Sequence, residues 1–111
     1  MSALIICTTC ADGSGQSLLE GVENEALARD LPLVVRGQAC MAACGRSCTA
    51  ALQGSGKHTY LFGELAPDAD SIEALLTVAG QHAEPGEGLL AWSRRPERLK
   101  SGLIARLPPP A

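Results

Sequence analysis

The sequence predicts an α/β fold in which a strand–helix–strand unit is followed by two more strands and a second helix. Three observations carry this expectation. Residues 3–7 form a wholly apolar run, residues 16–29 and 70–79 repeat apolar side chains at helical spacing, and Gly54-Ser55-Gly56-Lys57 separates two strand-like runs.

Taken in order, Ala3-Leu4-Ile5-Ile6-Cys7 is apolar and rich in β-branched residues, the pattern of a strand covered on both faces. Residues 8–15 read as a loop, with Asp12-Gly13-Ser14-Gly15 as turn chemistry and Ser14 as a helix cap. In 16–29, Leu18, Leu19, Val22 and Ala26 share one face while Glu20, Glu23, Glu25 and Arg29 lie largely elsewhere. Pro32 marks the end of that helix, and Leu33-Val34-Val35 is the next strand. Strand, helix and strand in so short a stretch make a right-handed unit with parallel strands.

Residues 49–53 and 58–64 then read as a β-hairpin. Asp68 or Asp70 caps a second helix, with Glu73 three residues after Asp70 as in a capping box. Its apolar stripe is Ile72, Leu75, Leu76 and Ala79, and Gly80 is its expected stop. The order βαβ then ββα is that of a thioredoxin-like fold, a four-stranded mixed sheet with flanking helices. Residues 89–92 are expected as a short strand, and Pro108-Pro109-Pro110 as an extended end. The expected organisation is a domain over residues 1–93 and a basic, proline-ended segment, 94–111, packed on it or extending from it.

The chain has 111 residues, 46% of them apolar, which suits one modest core. Tyr60, Phe62 and Trp92 are its only aromatics, so Leu, Ile, Val and Ala must build that core. Such a core is marginal in a short chain, and a bound metal would add stability. Net charge is −3, which argues against nucleic-acid binding. Residues 1–93 carry four basic and eleven acidic side chains, whereas 94–111 carry Arg94, Arg95, Arg98, Lys100 and Arg106 against Glu97. That basic segment could dock an anionic partner or simply be solvated. Neither a targeting segment nor a membrane span is legible, so a cytoplasmic location is expected, where thiols stay reduced.

The five cysteines fall into two groups, Cys7-Thr8-Thr9-Cys10 and Cys40-x3-Cys44-x3-Cys48. Each group follows the carboxyl end of one of the two strands expected to be parallel, so both meet at one sheet edge. Clustered thiolates repel unless a cation gathers them, and zinc and iron–sulfur centres both accept four sulfurs. Loop N–H groups at Thr8, Thr9, Gly45 and Arg46 could donate to those sulfurs, and the amino end of helix 16–29 would favour an anionic centre. Arg46 could offset cluster charge, meet a partner or be solvated. His58 and His82 read as surface or packing residues. Gly54-Ser55-Gly56-Lys57 fails as a phosphate loop because Ala51 and His58 occupy required positions, and Leu18 replaces the third glycine of a dinucleotide fingerprint.

Cys40-Met41-Ala42-Ala43-Cys44, followed by a hairpin ending Lys57-His58-Thr59-Tyr60-Leu61-Phe62-Gly63-Glu64, resembles the thioredoxin-like 2Fe-2S ferredoxins. More narrowly, the chain resembles small bacterial predicted metal-binding proteins with a Cys-Thr-Thr-Cys opening, a Cys-x3-Cys-x3-Cys motif and a close like Gly102-Leu103-Ile104-Ala105-Arg106-Leu107-Pro108-Pro109. The resemblance implies a 2Fe-2S cluster, electron transfer with a redox-protein donor or acceptor, a homodimer, and a link to a cobalamin-related pathway. By position Cys7, Cys40 and Cys44 match the broader family's ligands. That family has a longer loop between its first two ligands, so Cys10 is the expected fourth and Cys48 its rival.

The expected function is therefore one-electron transfer without catalysis of its own. Two rivals stand beside it. One is a module holding Zn2+ or another metal. The other is a thiol–disulfide oxidoreductase using Cys7 and Cys10, which has neither a flanking aromatic nor an obvious cis-proline before the hairpin to support it.

Overall fold

The structure, a computed structural model, describes residues 2–9, 13–31, 33–39 and 48–109. In chain order the elements are β1 (Ser2–Cys7), α1 (Ser14–Ala28), β2 (Val34–Gln38), β3 (Ala50–Gly54), β4 (Thr59–Phe62), α2 (Ala69–His82), a 3-10 turn (Trp92–Arg94), α3 (Glu97–Ser101) and β5 (Leu103–Leu107). Among the described residues the sheet has five strands in the order β2-β1-β3-β4-β5. β1 and β2 are parallel, and the remaining neighbours are antiparallel.

The order βαβ then ββα is as the sequence predicts, with a fifth strand added at the edge. β5 comes from the basic segment: Leu103 pairs with Phe62 and Leu107 with Thr59, with a register shift between Leu61 and Phe62. Ladder pairing on β4 makes it a strand despite its mixed sequence. The strand expected at 89–92 does not form. The Leu90 N–H instead donates to the Tyr60 hydroxyl, 2.9 Å, and Trp92 opens the 3-10 turn.

α1 and α2 touch each other and both pack on β1, so they share one face of the sheet. The pleat sends alternate residues to that face. Leu4, Ile6, Ala50, Leu52, Tyr60 and Phe62 meet Leu18, Val22, Leu75 and Val78 there, all fully buried. On the other face Ala3 and Ile5 are only half-buried, so the apolar run of β1 is covered completely on one side alone. Alternation was hidden because both sets are aliphatic.

α1 starts after Gly13, whose φ of 93° is left-handed, and Ser14 is the first helical residue rather than a cap. Asp68 caps α2 by accepting from the Ser71 N–H at 2.8 Å, and that bond holds its carboxyl below the usual carboxylate range. Asp70 therefore lies inside the helix and makes no capping box with Glu73. α2 also runs through Gly80 to His82. His82 sits with Nδ1 2.6 Å from Ser2 Oγ and Nε2 2.7 Å from the His58 carbonyl, which anchors the last turn. No helix among the described residues is long and apolar enough to cross a membrane.

Candidate metal centre

The parallel register sets Cys7, the last residue of β1, against Gln38, the last residue of β2. The Thr8 N–H continues that ladder by donating to Gln38 O, 3.0 Å. On the other side, the Cys7 N–H donates to Thr49 O, 3.0 Å, and extends the β1–β3 pairing beyond Ile6 and Ala50. The chain thus leaves the sheet at Ala39 and returns at Cys48 on the edge where Cys7 ends. The ends of the two strands that the cysteine groups follow thus meet at one edge. Cys10, Cys40 and Cys44, expected as ligands, and Arg46 with them, lie outside the described residues. Among the described residues no three His, Cys, Asp or Glu side chains gather as a metal site.

Side-chain direction can be followed from Cys7 outward. Cys7 is 1% exposed, and its Sγ lies 3.7 Å from Thr9 Oγ1, so these two share a side of the chain. Thr8 points the other way. A Cβ built on Gly37 would meet Thr8 Cγ2 at 2.7 Å and Leu19 Cδ2 at 2.9 Å, which places the Thr8 methyl against α1. Gly37 permits this close approach of strand, turn and helix.

Cys48 is equally buried, at 1%. Its N–H donates to Leu65 O and its carbonyl accepts from the Leu65 N–H, both at 3.1 Å. Counting back by twos from Leu52 and Ala50 places Cys48 on the helix-bearing face. Thr49, opposite Cys7, belongs to the other. The buried thiols of Cys7 and Cys48 thus start from opposite faces of one edge.

Among the described residues the amino end of α1 has neither a side-chain cap nor an acidic residue in its first turn. Its N–H groups and partial positive charge favour anionic sulfur near the end of β1. The donor chemistry that the chain supplies at this edge is soft thiolate sulfur, which fits iron–sulfur clusters and zinc.

The two histidines take no part in this edge. His82 is buried at the other end of β1. His58 Nδ1 lies 3.1 Å from Glu87 O, its N–H donates to the same carbonyl at 2.7 Å, and its own carbonyl faces His82. The basic segment is largely engaged within the fold. Arg94 makes a bidentate pair with Glu84 at 3.0 and 2.8 Å, and Arg98 lies 2.8 Å from Asp70. Lys100 pairs with Glu97 at 3.5 Å. Arg95 is buried, its guanidinium 5.6 Å from the Tyr60 ring and 5.5 Å from the Trp92 ring. Arg95 is thus a packing residue, withdrawn from any docking surface. A buried arginine in a run of basic residues carries no signal that separates it from its solvated neighbours.

A family model described as "Protein of unknown function (DUF1636)" matches residues 4–109. No curated protein matches the chain. Among solved structures, the chain is similar to a thioredoxin-like [2Fe-2S] ferredoxin from Aquifex aeolicus, at TM-score 0.62 and 14% identity, covering 100% of this chain and 96% of that one. Two cysteine-to-serine variants of the Aquifex aeolicus protein match at TM-scores of 0.59 and 0.60, with 13% and 15% identity. Each match covers 95% of this chain and 99% of the other. The fold is thioredoxin-like, and the resemblance read from the cysteine motifs and the hairpin points to the same group.

Proposed function

The chain belongs to the DUF1636 family of proteins of unknown function, and from the cysteine edge we propose that it is a ferredoxin-like one-electron carrier holding a 2Fe-2S cluster through Cys7, Cys10, Cys40 and Cys44. The observation that carries this reading is the adjacency of Cys7, Gln38 and Thr49. It brings the ends of both cysteine-bearing loops to one edge of a thioredoxin-like sheet. The solved protein of similar fold described above is a [2Fe-2S] ferredoxin.

The surroundings of Cys48 make it the weaker candidate for the fourth ligand, which leaves Cys10 in that role. Cys10 lies three residues after Cys7 in the sequence, outside the described residues. Cys48 starts from the helix-bearing face, is tied on both backbone groups to Leu65, and belongs to the hydrophobic core with it. A buried cysteine in such a place acts as a small apolar side chain.

When bound, the cluster supplies reversible one-electron chemistry. The chain's own residues bury the sulfur, exclude water through Cys7 and the sheet beneath it, and hold the turn through the N–H groups of Cys7 and Thr8. Burial and hydrogen bonding to sulfur set the potential. The protein turns over no substrate. Its partners are a redox protein that donates or accepts the electron and a second copy of the chain.

The test is the visible spectrum of anaerobically purified protein, with iron, acid-labile sulfide and zinc assays on the same sample. A red-brown protein with two irons and two sulfides per chain is expected. A colourless protein with one zinc per chain would replace this reading with a metal module. A metal-free protein with a reducible Cys7–Cys10 disulfide would replace it with thiol exchange.

A further inference from the structure

We propose that the Thr9 hydroxyl is the hydrogen-bond donor that raises the electron affinity of the cysteine-held centre, acting on the Cys7 sulfur; this rests on the iron–sulfur reading above. Thr9 Oγ1 lies 3.7 Å from Cys7 Sγ, within reach for a sulfur acceptor. While Cys7 is a thiol, either group can donate. A metal-bound sulfur has lost its proton and can only accept, so the hydroxyl then becomes the donor.

The geometry is fixed from below rather than by the hydroxyl itself. The Cys7 and Thr8 N–H groups are tied to Thr49 and Gln38, both at 3.0 Å. These ties hold the segment extended, and alternate side chains then part to opposite sides. Thr8 goes to Leu19 and Gly37, leaving Thr9 beside the sulfur. Cys7 is buried and Thr9 exposed.

Reduction adds one electron, delivered by a one-electron redox protein, and makes the centre more negative by one charge. Thr9 gains and loses nothing in that step. Its O–H dipole points at sulfur that carries more negative charge after reduction, so it stabilises the reduced state more than the oxidised state. Thr9 is thus a positioning residue for charge, and removing its hydroxyl favours the oxidised form. Thr8, with the same chemistry one residue away, faces α1 and has no such effect.

The experiment is an anaerobic spectroelectrochemical titration of intact wild-type protein and the variants Thr9→Val, Thr9→Ala, Thr9→Ser and Thr8→Val, with circular dichroism confirming the fold. Thr9→Val and Thr9→Ala are expected to lower the reduced-to-oxidised ratio at fixed potential about tenfold, which is ~59 mV for one electron. Thr9→Ser and Thr8→Val are expected to stay within about twofold of wild type. An unchanged potential in both Thr9→Val and Thr9→Ala, or an equal shift in Thr8→Val, overturns the inference while leaving the ferredoxin reading intact. A wild-type protein without iron and sulfide overturns the reading itself, and this inference with it, before any variant is compared.

Discussion

The Ser2 hydroxyl oxygen lies 2.6 Å from His82 Nδ1, joining the first residue of β1 to the last residue of α2 across the fold. The other ring nitrogen, Nε2, is 2.7 Å from the His58 carbonyl. A carbonyl can only accept, so Nε2 carries the proton. In the neutral ring Nδ1 then accepts from Ser2. One buried imidazole therefore ties β1, the start of β4 and the end of α2 together. A Cβ at Gly88 would stand 3.0 Å from His82 Nε2, so the returning chain packs directly on the ring.

This arrangement makes stability depend on pH. Burial lowers the His82 pKa most, the hydrogen bond to His58 O partly restores it, and the nearby Lys57 charge lowers it further. The folded value is thus below the unfolded value of about 6.5. The unfolded chain binds more protons in that window, so stability rises with pH. The contribution is fully present above about pH 6.5 and is lost as pH falls through the folded value. Urea midpoints between pH 8 and pH 5 should fall more steeply for wild type than for His82→Gln. Parallel slopes would remove His82 as the source.

The histidine latch was not legible in the sequence, and the reason is general to this fold. Gly80 signals a helix stop, but the Ser2 and His58 contacts that carry α2 past it are far away in the chain. β5 was hidden in the same way, because Ile104-Ala105-Arg106 has little strand character until β4 lies beside it. What was legible was local: the β1 run, the 16–29 stripe, the hairpin turn and the Asp68 cap. At the candidate site the sequence placed Cys7 at the end of β1 and the carboxyl ends of β1 and β2 on one edge. The opposite starting faces of Cys7 and Cys48 emerge only from the register with β3.

Gly37 supplies a second prediction. Its missing Cβ is filled by Thr8 Cγ2 and Leu19 Cδ2 at 2.7 and 2.9 Å, closer than a real Cβ tolerates. Thr8 is stiff and its N–H is committed to Gln38, so it cannot yield without moving the turn that follows Cys7. Gly37→Ala should cost about 1–3 kcal/mol in urea unfolding, the range of an overpacked site. It should also lower the iron bound per chain after purification. Full iron occupancy at wild-type stability would show that the turn can shift freely.

The adjacent Arg94 and Arg95 should separate sharply. Arg95 is 7% exposed, sits between Tyr60 and Trp92, and donates from a guanidinium nitrogen to Leu90 O at 3.2 Å. Arg95→Ala removes a desolvated cation–π contact and the packing of the long stem, expected to cost about 2–3 kcal/mol. Arg94 is exposed, and its pair with Glu84 is open to solvent and salt. Arg94→Ala should leave the unfolding midpoint close to that of wild type. Equal losses for the two variants would contradict the burial of Arg95.

The last prediction concerns the two cysteines that competed for the fourth ligand position. If Cys10 completes the set, Cys10→Ala leaves three sulfurs, and the purified protein should lose most of its visible absorption and iron. Its thermal midpoint should fall towards that of wild-type protein stripped by an iron chelator, because metal binding adds directly to folding stability. Cys48 belongs with Leu65 in the core, so Cys48→Ala is a truncation within that core. It should keep the cluster spectrum and cost about 1–2 kcal/mol, typical of a modest core truncation. Iron content decides between the roles because both variants lower stability. Loss of iron in Cys48→Ala with retention in Cys10→Ala would exchange the two assignments. It would also require the Cys48 thiol to reach round from the helix-bearing face to the side of Cys7.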